Sequence, residues 1–324
     1  MDTSARKAII NTPGQRGFAQ RILAWLRLAA DQTRFLWRDA ALRLRRRHVR
    51  LADLRLPSID GAYPDAAALG RRLLLYTACD PEYFGRYYET LVLSLERHSP
   101  GVALHLHIFD PRDRAHLALI EDLRRRCPSL LLTCTEELVD APGRDAIYRI
   151  TYYASMRFLR LHEMMRATGR DVLSIDVDTL VLRPLGELLD FVAGADVSFR
   201  ARFRHPDPRR RMLAGVIWFR HSPAALAYLG RVARRIALHL LEPDFPVQWY
   251  LDQRLLHLEF RRERLRPRGM KWRRLHRRFI DWHYDEGSVI WVGKGKRKDE
   301  NRRYLRLGEK LRAARPDPRS SAAQ

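Results

Sequence analysis

Two aspartates one residue apart close a short apolar run in Ser174-Ile175-Asp176-Val177-Asp178-Thr179. In extended backbone, positions i and i+2 share a side, so Asp176 and Asp178 are expected to converge. Two carboxylates that close favour a hard divalent ion, Mg²⁺ or Mn²⁺, bridging to substrate phosphates. The competing explanation is a pair of turn-forming acids after a strand. A second group is Trp291-Val292-Gly293-Lys294-Gly295-Lys296-Arg297-Lys298, which gathers three of the six lysines. Its glycines admit a backbone close to an anion and its lysines offer compact charge for phosphate, though an exposed basic turn would look the same. The third is Asp252-Gln253, on a helix expected to open at Pro246, where a surface acid and amide are the ordinary alternative.

The elements around these residues alternate. Leu73–Thr77 reads as a buried strand, followed by a helix over about 82–97, a strand at Leu104–Phe109, a helix near 114–126 and a strand at Leu130–Cys134. A long helix over about 152–167 then leads into the strand Asp171–Ile175. Such alternation predicts an α/β fold with a mainly parallel central sheet and helices on both faces, which binds ligands at the carboxyl ends of its strands. The second half offers a strand at Ala214–Phe219, a helix over 224–240 and a last strand at Ser288–Val292. Residues 1–70 read as a basic amphipathic helical segment and linker, 71–312 as the main domain, and 313–324 as a disordered tail.

With 46% apolar residues the chain can bury a real core, and three cysteines without a Cys-x-x-Cys pair exclude a disulfide scaffold or zinc ribbon. No apolar run is long enough to span a bilayer, and arginines interrupt the N-terminal clusters, so a cytoplasmic protein without a secretory signal is expected. Lys and Arg number 61 against 38 Asp and Glu, a formal charge of +23. That excess attracts anions: nucleic acid, an acidic membrane surface or a phosphorylated substrate. An arginine-rich proteome is the other source of such a charge. From Arg16 to Arg50 there are ten arginines and two acids, with Phe18, Ile22, Trp25, Leu26 and Ala29 at helical spacing. This helix either lies on an anionic bilayer, with Trp25, Phe35 and Trp37 at headgroup level, or packs on the main domain with a solvated arginine face.

Together these features resemble glycosyltransferase family 8, the glycogenin and bacterial lipooligosaccharide galactosyltransferase group. Leu73 to Tyr83 is similar to its opening strand and Asp-x-x-Tyr turn, Thr151 to Leu161 to the helix before its metal motif, and Leu173 to Val181 to the metal strand. Ala214-Gly215-Val216, Asp252-Gln253 and Gly295-x-x-Lys298 follow in the family's order. The resemblance spans about 72–299 and implies a GT-A fold, a Rossmann-like mainly parallel sheet. It also implies a nucleotide-diphosphate sugar donor, of the UDP-sugar type, and a retaining hexosyl transfer assisted by Mn²⁺ or Mg²⁺.

Carried over by position, Asp80 and Tyr83 would hold the base, and Arg157 would lie near the donor. Asp176 would touch the donor and share the metal with Asp178. Asp252 and Gln253 would face the transferred sugar, and Gly295 and Lys298 would meet the diphosphate. A glycan or lipid-linked acceptor in surface polysaccharide or lipooligosaccharide synthesis, at the cytoplasmic face of a membrane, completes the reading. Two positions depart from the family. Its third metal ligand, a histidine, is Val292 here, with His283 near in sequence and Lys294 and Lys296 as substitute charge; its asparagine before Ala-Gly-Val is Leu213. A degenerate GT-A fold that binds without transfer is therefore an alternative. An arginine-rich nucleic-acid-binding protein is a weaker one, because no helix-turn-helix, RRM or zinc-finger pattern is present.

Overall fold

A computed structural model describes residues 18–111, 114–139, 145–242, 249–266, 269–293, 295 and 297–314. Its longest apolar runs become strands buried on both faces of one sheet, while the strands at the sheet's edges are partly exposed. β1 (Ile59–Gly61), β2 (Leu74–Cys79), β3 (Ala103–Phe109), β4 (Leu131–Glu137), β5 (Val172–Ile175), β7 (Val197–Ala201), β8 (Met212–Phe219) and β9 (Trp272–Arg274) form it in the order β1-β4-β3-β2-β5-β8-β7-β9. The core strands β4, β3, β2 and β5 run parallel, while β8 pairs antiparallel with both β5 and β7. A smaller sheet joins β10 (Ile280–Asp281), β11 (Ile290–Val292) and β6 (Thr179–Val181).

Helices cover both faces. The longer ones are α1 (Phe18–Arg45), α2 (Glu89–His98), α3 (Ala115–Arg126), α4 (Ala146–Thr168), α5 (Gly186–Val192), α6 (Pro223–Leu241), α7 (Leu251–Arg264) and α8 (Arg302–Ala313). Local chemistry sets the ends of the longest. Asp145 caps α4 by accepting from the Tyr148 amide at 2.7 Å, and Gly169, at φ +65°, ends it in the left-handed region. α2 is preceded by one π-helical turn, Phe84–Tyr88, which periodicity does not reveal.

The stretch expected as a linker supplies β1, which pairs antiparallel with β4 at the sheet edge, and a short helix at Ala66–Leu69. Its Gly61 lies at φ +86°, where a Cβ would come within 2.9 Å of the Cys134 carbonyl, so close strand pairing requires glycine there. The start of the expected helix at Pro246 and most of the expected tail, 315–324, lie outside the described residues.

α1 is fastened to the domain by buried charge. Arg235 of α6 grips Asp39 with both ends of its guanidinium (3.1 and 2.7 Å) and reaches Glu259 of α7 at 2.7 Å. His239 donates to Asp39 at 3.0 Å. Farther along, Arg254 of α7 pairs with Asp31, and Arg45 and Arg46 pair with Glu242. Burial pushes the Asp39 carboxyl up, but the His239 hydrogen bond and the Arg235 charge outweigh it and bring the pKa down to about 2. A carboxyl held below its ordinary 3.8 stabilises the fold above that value and loses the contribution as pH falls through about 2. Acidification from about pH 5 to about pH 2 should thus cost roughly 2 kcal/mol at this residue. Amide exchange in α1 should rise over the same window in wild type and be raised already at neutral pH in Asp39→Asn.

Candidate active site

The carboxyl end of β5 is held from both sides. The Asp176 amide donates to the Gly215 carbonyl of β8 at 2.8 Å, and the Gly293 amide donates to the Asp178 carbonyl at 2.9 Å. Neither glycine can be replaced without movement. A Cβ on Gly215 would sit 2.8 Å from Asp176 Oδ2, and one on Gly293 would sit 2.8 Å from the Asp178 carbonyl oxygen. The Tyr304 hydroxyl of α8 donates to that same carbonyl at 2.9 Å, so the C-terminal helix closes the site from behind.

Residues 177–178 form a turn rather than extended strand, which alters the expected convergence of the two carboxylates. Each faces its own cation. Arg157 of α4 pairs with Asp176 and, at 3.3 Å, with Asp252 in the first turn of α7. Its second amino group also donates to the Ala214 carbonyl at 3.3 Å. Asp252 follows Tyr250, which lies in the left-handed region at φ +68°. Burial raises the Asp252 carboxyl, while Arg157 draws it down. Asp178 instead receives Lys298 Nζ at 2.5 Å. The ammonium also lies over the rings of Tyr83 and Tyr87, 4.0 and 4.7 Å from their centroids, and the Tyr87 hydroxyl donates to Asp299 at 3.0 Å. Burial pushes Asp178 up to about 6 against the pull of Lys298, and Asp178 Oδ1 is buried without a hydrogen-bond partner. The Lys298 ammonium is held above its ordinary range, because the Asp178 carboxylate outweighs its burial.

The fold thus brings together Tyr83, Arg157, Asp176, Asp178, Asp252 and Lys298 from segments far apart in sequence. Asp80 caps the turn after β2, accepting from the Tyr83 amide at 2.8 Å, and so aims Tyr83 at Lys298. Gly295 lies at φ +57°, between two residues outside the described set. Gln253 stands apart: with its amide nitrogen turned to the backbone it donates to the Arg209 and Met212 carbonyls at 3.0 and 2.8 Å. Its amide therefore fixes the start of β8. Val292 is buried in β11 opposite Thr179, and His283 is exposed; no set of three His, Cys, Asp or Glu side chains forms a metal cluster among the described residues. Tyr87 and Tyr304 escaped the sequence reading. Tyr87 was the more visible, standing four residues after Tyr83 at the start of a helix, whereas nothing local marks Tyr304.

This architecture is the GT-A fold seen in solved glycosyltransferase structures. Among solved structures it is similar to WbbM, a bifunctional glycosyltransferase, at 16% identity and a TM-score of 0.53, covering 76% of this chain and 50% of WbbM. It is similar to an active-site mutant of LgtC at 16% identity and a TM-score of 0.50, covering 76% of this chain and 98% of LgtC. The match to GlyE of Streptococcus pneumoniae has a TM-score of 0.49 at 14% identity, over 74% of this chain and 60% of GlyE. The chain thus spans half of WbbM and three fifths of GlyE. No protein-family model matches the chain, and no curated protein does.

Lys298→Met should test the buried pair. It strands the Asp178 carboxylate without its cation, a loss of about 3 kcal/mol for a buried ion pair broken on one side. Because burial already raises this carboxyl, the penalty applies above its pKa and lifts as protonation removes the charge. Urea unfolding of the variant should show the larger deficit near pH 8 and a smaller one near pH 5, relative to wild type at each pH.

Proposed function

We propose that the chain is a glycosyltransferase that moves a hexose from a nucleoside diphosphate sugar, of the UDP-sugar type, to a glycan or lipid-linked acceptor. The observation that carries this reading is Arg157 bridging Asp176 and Asp252 at the carboxyl end of β5, in a GT-A fold. LgtC itself has been solved with donor and acceptor sugar analogs bound. Membership of glycosyltransferase family 8, synthesis of a surface glycan and a place at the cytoplasmic face of a membrane belong to the same reading.

In the reaction the bond from the anomeric carbon to the diphosphate breaks, the acceptor hydroxyl oxygen takes that carbon, and the hydroxyl proton leaves. Retention of configuration is the expected outcome. The difficult part is the charge on the departing diphosphate, and preorganised cations stabilise it where it develops. Lys298 supplies one such cation, and its aromatic walls and Asp178 fix it in place. Arg157 orients Asp176 and Asp252 toward the donor sugar, and Tyr83 offers a ring face for the base beside Asp80. Gln253 acts as a positioning residue through the start of β8.

Mn²⁺ or Mg²⁺ fits this donor set as a two-carboxylate site completed by substrate oxygens, the usual way such ions meet phosphates. The unpartnered Asp178 Oδ1 is the atom that fits it, and three carboxylates against two cations leave the site short of positive charge. Asp176 and Asp178 would hold the ion, which would supply Lewis-acid neutralisation of the leaving group. Val292, packed in β11 where the family's histidine would stand, favours a second reading in which nucleotide or glycan binds without transfer.

Thermal stability with a panel of nucleoside diphosphates, with and without Mn²⁺, separates these readings. At a hundredfold excess over its dissociation constant a bound diphosphate should add about 2.7 kcal/mol. The gain should require Mn²⁺, favour UDP and vanish in Asp176→Ala. Transfer from the matching nucleotide sugar is then expected in wild type, and binding without turnover would favour the second reading. Stabilisation by no diphosphate would overturn transfer and reduce the second reading to glycan binding alone. Gly215→Ala, whose new methyl displaces Asp176, should keep the fold yet weaken donor binding by roughly tenfold or more.

A further inference from the structure

α1 carries two apolar faces, and only one is used. Phe35 and Leu42, with Asp39 between them, point into the domain and are buried. On the opposite side Ile22, Trp25, Leu26, Leu36, Trp37 and Leu44 recur at helical spacing and are all exposed, Trp25 at 59% and Trp37 at 74%. Most of the large apolar side chains exposed among the described residues lie on this one helix. Beyond one edge of the stripe, past the exposed Leu23, runs a row of arginines, Arg27, Arg34 and Arg38, all exposed; none pairs with a carboxylate among the described residues. From Ile22 to Leu44 the stripe is about 33 Å long at 1.5 Å per residue. No helix among the described residues is long and apolar enough to cross a membrane.

We infer that this outer face of α1 docks in the plane of an anionic lipid surface. Apolar side chains flanked by a cationic row, with two tryptophans whose rings suit the headgroup boundary, match such an interface in both hydrophobicity and charge. A second copy of the chain is a poorer occupant, because joining two such stripes brings two arginine rows of like charge together. The inner face holds the helix rigidly to α6 and α7 through Asp39 and Asp31, and Arg254, the partner of Asp31, stands two residues beyond Asp252. Docking therefore presents the candidate active site at a fixed distance from the lipid. This suits an acceptor whose sugar is tethered to a membrane.

The test uses the full chain and vesicles of phosphatidylcholine with or without phosphatidylserine, read by co-sedimentation and by the blue shift of tryptophan emission. Wild type should bind the phosphatidylserine vesicles and bind phosphatidylcholine alone far more weakly. Replacing Arg27, Arg34 and Arg38 together by Ser should lower partitioning roughly a hundredfold, since each arginine near an anionic surface contributes about fivefold or more. Trp25→Ser with Trp37→Ser should abolish the emission shift. Both variants leave the inner face intact, so unchanged unfolding midpoints show that the fold survives. Wild-type binding to neither vesicle, variant binding equal to wild type, or a wild-type dimer that Trp25→Ser and Trp37→Ser dissociate would each overturn the proposal. The readout needs no sugar transfer, so it stands or falls apart from the activity.

Discussion

Everything at the carboxyl end of β5 depends on one requirement: three carboxylates placed close together in a poorly solvated site must each find a cation. Arg157 meets that requirement for Asp176 and Asp252 at once, and Lys298 meets it for Asp178. The cost of an unpaired buried charge makes these contacts the ones the fold cannot relinquish. They also tie distant parts of the chain together. α4 holds α7 through Arg157, and the segment before α8 holds the turn after β5 through Lys298. The backbone enforces the same register, because Gly215 and Gly293 let β8 and β11 approach the two aspartates more closely than any side chain would allow.

The site's polarity is therefore preorganised. Asp178 is already satisfied on one oxygen by an ammonium that two aromatic rings confine, while its other oxygen has no partner. On the proposed function, an anion arriving at Lys298 would compete with Asp178 for it, and a divalent ion held by Asp178 would relieve that competition. Metal and diphosphate would thus favour one another's binding, each removing a cost the other would meet alone.

Much of the framework was legible in the sequence because burial on both faces of a parallel sheet writes itself as uninterrupted apolar runs. Leu74–Cys79 and Ala103–Phe109 are examples, and the helices between them follow ordinary periodicity. Asp176, Asp178, Asp252 and Lys298 were legible as candidates through spacing and order, and Arg157 only through the family resemblance. Their pairing was not, since which cation meets which carboxylate is decided by a two-residue turn at 177–178 and by strands only two or three residues long. Tyr304 was invisible for a related reason: its contact with the Asp178 carbonyl spans 126 residues and leaves no local pattern. The two-sided character of α1 was hidden because a single helix with apolar residues on opposite faces has a weaker periodic signal than one with a single stripe. The sequence posed burial and lipid contact as alternatives, whereas the structure assigns packing to one face and leaves the other free.

The ion pair that fastens α1 has a consequence in time as well as space. Asp39 and its partner Arg235 are 196 residues apart, so the helix leaves the ribosome long before the segment that anchors it has been made. Through that interval of synthesis both of its apolar faces are uncovered, including the one the finished domain will bury. Apolar surface exposed in this way is prone to aggregate until the partner segment folds against it. The segment that fastens α1 is thus made 196 residues after the residue it grips.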